Sequence, residues 1–314
     1  MSERSGPASR QRRWLAPAAT AAGAALVVTG VLLAVNRPEP AAGGQTPPAE
    51  PSSTSDLLVR NGDEVVARGI VAGAPGRPVV FCTPLPEAQT GFSPGREPRP
   101  PCLDDPRAVV VTGFDLSRLG QPDSRDGVSF GYAELRGVWR DRTIAVTEQG
   151  PYTEDESVAP VVDDEVPCPR PPGGWKRNSE LPAFDTDRVS AFIARQPDRF
   201  GAEWVAYVDD EQILIVGVVE GDLDDARREL APLYSGNLCV TRTEQSITRR
   251  EQVTHELEAL WTDHPEAVVS TAGQSAPRHR PSVDLVIMDQ PIHDVLAGIG
   301  WDQFDVDATI RPVR

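Results

Sequence analysis

Between Leu57 and Glu148 apolar residues come in short runs rich in Val and aromatics, broken by Gly, Pro and Asp. That alternation is the signature of half-buried strands. Five are predicted, "EVVARGIVAG", "RPVVFC", "RAVVVTGFDL", "FGYAELRGVW" and "RTIAVTEQ". Trp139 closes one alternating run and Ile144 opens the next across "RDR", which predicts a hairpin. Five short strands suit a small β-barrel-like domain over residues 57–148.

Residues 149–182, with "TEDES", "VVDDEV" and "PCPRPPGGW", show no sustained period and read as an acidic, Pro-rich connection. From residue 183 the period lengthens, and one order of elements, helix, strand, strand, helix, strand, occurs twice. In the first copy Val189, Phe192 and Ile193 form a helical stripe after the cap candidates Asp185 and Thr186. The strands "AEWVAYV" and "QILIVGVV" follow. Asp222 caps a second helix with Leu223, Ala226, Leu230 and Leu233 at helical spacing, before "NLCVTRT".

In the second copy Thr248 and Glu251 form a capping box, and Val253, Leu257, Leu260 and Trp261 make the stripe expected to be buried. "EAVVSTA" and "PSVDLVIM" are the strands. Ile292, Val295, Leu296 and Ile299 mark a helix with Pro291 near its start and Gly300 at its end, before "FDVDATIRP". The copies, residues 185–244 and 246–314, are expected to pack as one two-layer αββαβ domain, separable from the barrel. The fold class expected is therefore α+β, with a duplicated αββαβ unit over 183–314.

Ahead of these lie 22 uncharged residues, Trp14 to Val35. At about 1.5 Å per residue a helix of that length spans a bilayer core. Arg10, Arg12 and Arg13 stand before it and predict a cytoplasmic tail, residues 1–13. Leu26 to Val35 also has the length of a signal-peptide core, so a removed export signal is the alternative. No clean small-x-small cleavage site follows, and the reading taken is a retained transmembrane helix, residues 14–35. Residues 36–56 hold five prolines with Gly, Ser and Thr and read as a stalk.

The chain carries a net charge of −16, and residues 1–35 hold four Arg against one Glu, so the remainder carries −19. Such a surface repels phosphates, which argues against nucleic acid and against anionic headgroups. Lys176 is the only lysine beside 30 arginines; with abundant Ala, Gly and Pro this marks a GC-rich genome, a coding bias rather than a function.

Cys82, Cys102, Cys168 and Cys239 all follow the apolar segment, an even number in what should be an oxidising compartment. Of three pairings the preferred one is Cys82–Cys102, closing a Pro-rich loop, with Cys168–Cys239. Zinc is the competing reading, but CxxC and Cys-His spacings are lacking.

In strand order and closing hairpin, residues 57–148 resemble an OB-fold. The αββαβ order of 185–314 resembles the BON modules of bacterial envelope proteins, most of all in "QILIVGVVEGDLDDARRELAPLY" with Gly217 or Gly221 near the strand-to-helix turn, and also the propeptides of secreted serine proteases. The first resemblance supplies no ligand. The second implies association with envelope lipid or protein, and the acidic charge favours protein.

The sequence lacks P-loop and GxGxxG motifs, and its two GxSxG matches, residues 91–95 in the Pro-rich loop and 127–131 running into a predicted strand, do not stand at a strand-to-helix turn as a nucleophile elbow does. "HELEALWTDH" begins like a zinc-protease HExxH, but residue 259 is Ala, and nine residues at about 100° each put His255 and His264 on opposite helix faces. His279 and His293 have no Cys partner nearby in sequence. Asp302, Asp305 and Asp307 could serve acid–base chemistry or calcium, but Asp305 and Asp307 alternate with Phe304 and Val306, as on the polar side of an amphipathic strand. Asp163, Asp164 and Glu165 match no EF-hand spacing. Trp175, Trp204, Trp261 and Trp301 could line a glycan groove or be buried.

The expected protein is a single-pass, extracytoplasmic protein-binding or scaffold module of a bacterial cell envelope, with no catalysis, no cofactor and no metal. Its membrane contact would be Trp14–Val35. A sensor of a small ligand or cell-wall glycan is the second expectation, and an envelope hydrolase the third.

Overall fold

Glu64–Gly73 (β1) turns Val65, Ala67 and Val71 inward, and its whole length pairs antiparallel with Val128–Arg140 (β5). The other edge of β1 is divided. Val65–Ala67 pair with the last strand, Asp305–Pro312 (β12), and Ile70–Ala72 pair with Val79–Cys82 (β2). Gly69 sits at the handover, where a Cβ would lie 2.8 Å from the Cys82 carbonyl oxygen and 2.9 Å from the Phe81 ring. Only glycine lets β1 pass so close to β2.

These statements concern the residues that the computed structural model describes, namely 56–83, 102–119, 122–152, 166–177, 179, 185–275 and 279–314.

From β2 the sheet continues to Val109–Thr112 (β3) and Thr143–Pro151 (β6), then to β5, and the β1–β5 pairing closes the ring. β3 and β6 run parallel, and the ring's other neighbours antiparallel. Asp123–Arg125 (β4) adds a short hairpin to β5. The interior holds Phe81, Leu135, Trp139 and Ile144, all buried. Asp141 and Arg142 turn the β5–β6 hairpin with φ of 48° and 59°. Neither is Gly or Asn, and the turn is held from outside: Asn61 Nδ2 donates to Asp141 Oδ1 at 2.8 Å, and the Asp141 amide donates to Asn61 Oδ1 at 2.9 Å.

Both copies of the helix-strand-strand-helix-strand order form. Asp187–Ile193 (α1), Phe200–Val208 (β7), Glu211–Val218 (β8), Leu223–Leu230 (α2) and Asn237–Arg242 (β9) make the first. Ile247–Asp263 (α3), Val268–Ser275 (β10), Arg280–Ile287 (β11), Gln290–Ile299 (α4) and β12 make the second. In each, the first two strands are antiparallel and the third lies parallel to the second. Helices cover one face. Val189, Ile193, Ala226 and Leu230 pack on Leu214, Val216 and Val240, and Val253, Leu257, Ile292 and Leu296 pack on Val283, Leu285 and Ala308.

Asp222 caps α2 by accepting from the amides of Asp224 and Asp225 at 2.9 and 3.0 Å. Asp222→Ala should cost about 1 kcal/mol, read as a lower urea midpoint at unchanged slope.

Four expectations need correction. The N-terminal transmembrane helix is not supported: among the described residues no helix is long and apolar enough to cross a membrane, and Trp14–Val35, with the tail before it and nearly all of the stalk, lies outside them. The α+β class also fails, because twelve strands outweigh four α-helices among the described residues. The duplicated unit is not separable from the barrel: β12 pairs with β1, so β10, β11 and β12 extend the barrel's own sheet to nine strands, while β7, β8 and β9 form a second sheet. The described residues fall in one compact unit. Finally, α3 starts earlier than the capping box implied. Ser246, not Thr248, is the cap, its hydroxyl accepting from the Arg249 amide at 3.2 Å, and Trp261 is 42% exposed rather than in the buried stripe.

Candidate functional site

Because each copy has helices on one face only, the other face must be covered or polar. The first copy is covered. Ala206, Ile213, Ile215 and Cys239 form an apolar layer there, and the connecting segment 166–177 lies across it, contributing Val166, Cys168 and Trp175. This strap is fixed at several points. Cys168 is bonded to Cys239, with Cα atoms 5.7 Å apart. The Lys176 amide donates to Asn237 Oδ1 at 2.9 Å, and Asn237 Nδ2 donates to the Lys176 and Gln212 carbonyls at 2.8 and 3.0 Å. Arg170 pairs with Glu211, itself buried at the start of β8.

The second disulfide, Cys82–Cys102, has Cα atoms 5.9 Å apart and ties the end of β2 to the loop before β3. Both pairings are those preferred from the sequence. The loop between Cys82 and Cys102 is described only at Thr83, and Asp163, Asp164 and Glu165 lie outside the described residues.

The second copy differs at matching places. Across the first sheet the register aligns Trp204, Ile215 and Cys239, and across the second it aligns Ser270, Asp284 and Asp307. Asp284 is the fifth residue of β11 as Ile215 is of β8, and Asp307 the third of β12 as Cys239 is of β9. An apolar, covered row in one copy is thus a polar row in the other. Part of this face packs on the barrel through Val269 and Val286. Beyond that contact Asp284 and Asp307 are exposed, and they border an open depression of about 150 Å³ lined also by Thr83, Val269, Leu285, Ala308 and Thr309. Ser270 donates its hydroxyl to Asp284, Arg311 pairs with Asp307, and the Ala308 amide donates to Asp307 Oδ1 at 2.7 Å. The Thr83 hydroxyl is buried and has no hydrogen-bond partner among the described residues. This surface is rich in acceptors and suits a donor or a cation.

The copies meet through polar contacts: the Thr248 amide donates to the Pro197 carbonyl at 3.3 Å, and Arg280 pairs with Glu244. Gln245, between the copies, donates to the Gln303 carbonyl of the second. Burial pushes the Arg250 guanidinium below its ordinary range, against the pull of Glu251 and Glu203. Trp204 stacks on His279 with ring centroids 3.9 Å apart, which joins the first sheet to the β10–β11 hairpin.

Other sequence candidates scatter. Phe304 is buried and Val306 packs against the same helix-side core, leaving Asp305 and Asp307 on the opposite face. Asp302 accepts from Gln303 at 2.7 Å. His255 is exposed on α3, His264 lies 3.6 Å from Glu266, and His293 sits beside Trp301. Among the described residues no group of three or more His, Cys, Asp or Glu could hold a metal. Trp175, from the strap, and Trp204 pack in the same layer, Trp301 packs against the α3–α4 core and Trp261 points outward, so the four line no common groove. Sequence reasoning missed Thr83, Ser270, Asp284 and Thr309. The signal was an aspartate interrupting "PSVDLVIM" where the first copy reads "QILIVGVV" without interruption.

No protein-family model matches the chain, and no curated protein matches it.

Proposed function

We propose that this is an extracytoplasmic, non-enzymatic module of the cell envelope that binds another protein. The observation that carries the reading is the pair of disulfides, one closing a loop against the barrel and one fastening a strap across a sheet. Such bonds persist in oxidising compartments and are rare in reducing ones. The acidic surface supports a protein partner over nucleic acid or anionic lipid. The closed order β1-β2-β3-β6-β5 supports an OB-type barrel, and the αββαβ order supports an envelope setting of the kind BON modules have.

The test has two parts. Full-length protein fused after Arg314 to alkaline phosphatase, which is active only after export, should give active enzyme in an oxidising envelope, with all four cysteines resistant to alkylation until reduced. An impermeant cross-linker applied to intact cells should then join the protein to a second protein. Free thiols in the cell would sink the location, and the absence of any protein adduct would sink the binding role. A second reading rests on Tyr132, 55% exposed on the barrel and 5.4 Å from the ring of Tyr152, a pair on which a sugar ring could stack. Recovery of glycan without protein would favour it.

A further inference from the structure

The two copies pose one question twice: what covers the helix-free face? In the first the answer is visible, an irregular Pro-rich segment of the chain itself that presents Arg170 to a face carboxylate, Glu211. In the second, the row that would lie beneath such a segment is Ser270, Asp284 and Asp307, and the strap is already committed to the first copy by the Cys168–Cys239 bond.

We infer that the helix-free face of the second copy binds a basic, irregular segment of a partner protein, with an arginine side chain seated between Asp284, Asp307 and Thr83. This rests on the protein-binding reading above and names its surface and partner chemistry.

Three features of the depression select this occupant. Its volume of about 150 Å³ is too small for a cofactor or drug-sized ligand, which need roughly 300–1,000 Å³. It accommodates one side chain. Its lining offers two carboxylates on adjacent parallel strands, Asp284 and Asp307 in register, together with a buried hydroxyl, that of Thr83, whose hydrogen-bonding capacity is unmet among the described residues. A guanidinium carries five N–H donors in a planar fork and can reach two carboxylates and a hydroxyl at once, which an ammonium on a flexible stem does less well. Third, the chain's net charge of −16 draws a basic partner toward it. Ser270 and Arg311 hold Asp284 and Asp307 in place without removing them from the surface, since each carboxylate has a second oxygen and both residues are exposed.

The test is a selection of random 12-residue peptides on the oxidised full-length protein, with each selected peptide then measured on Asp284→Asn/Asp307→Asn and on Thr83→Val. Both aspartates are exposed, so the double variant should unfold at the wild-type midpoint. Selected peptides should contain arginine, lose at least tenfold in affinity on the double variant, lose less on Thr83→Val, and weaken as salt rises. Peptides without basic residues, or ones that bind the double variant as tightly as wild type, overturn the inference while leaving the protein-binding reading intact. Failure to select any peptide also overturns it, and the cell-surface cross-linking then decides separately whether a protein is bound elsewhere. Selected sequences that match residues 84–101 or 166–177 would make the occupant a segment of this chain, from the same or a second copy, rather than a foreign partner, which likewise overturns it.

Discussion

Gly69→Val should destabilise the protein by about 3 kcal/mol, the upper part of the usual range for forcing atoms into a packed interior. The new side chain would meet a backbone oxygen, that of Cys82, as well as the Phe81 ring, and a backbone atom cannot rotate away. Either β2 moves off Ile70–Ala72, or β1 straightens and loses its grip on β12. Both responses break long-range pairing, so the urea midpoint should fall and the amides near Ile310 should exchange faster than those of α1 and α2. Gly69→Ala should lie between, because its Cβ alone already makes the contact. A valine variant as stable as wild type would mean that the divided edge of β1 does not depend on close approach.

Removing the strap's covalent tie, Cys168→Ser with Cys239→Ser, should cost about 4 kcal/mol, since the bond closes a separation of 71 residues and the unfolded chain regains that freedom. The Cys82–Cys102 bond spans 20 residues and should matter less, about 3 kcal/mol. Beyond the midpoint, loss of Cys168–Cys239 has a local mark. Trp175 of the strap packs with Trp204 against the layer it covers, so their fluorescence should shift toward that of exposed indole while Trp139, inside the barrel, keeps its emission. Unchanged exchange over 166–177 would show that Asn237 and the Arg170–Glu211 pair hold the strap unaided.

Local pattern carried most of the element order, because strand alternation and helical stripes are written into consecutive residues. "EVVARGIVAG", "QILIVGVV" and "PSVDLVIM" each became the strand their alternation implied. What stayed hidden was non-local. Nothing in "FDVDATIRP" says that its far edge meets Val65–Ala67, since an edge strand and a central strand with one wet face share the same alternation. Trp261 was misplaced because a stripe one residue too wide looks the same in sequence as one that fits. The candidate site was half legible. Asp307 stood out as a carboxylate on a strand face, but its neighbours Asp284, Ser270 and Thr83 come from other strands, and only register brings them together.

The divided edge of β1 also sets an order of events in synthesis. β5 and β2 can dock as soon as the barrel region has been made, but Val65–Ala67 must wait for Ile310–Pro312. During that interval three residues of bare strand edge, flanked by finished sheet, offer a template to any passing strand, whether from a chaperone or from a second nascent copy. Residues made long after β1 act as the cap on it, and the hazard of misassembly gathers at one short edge rather than across the sheet.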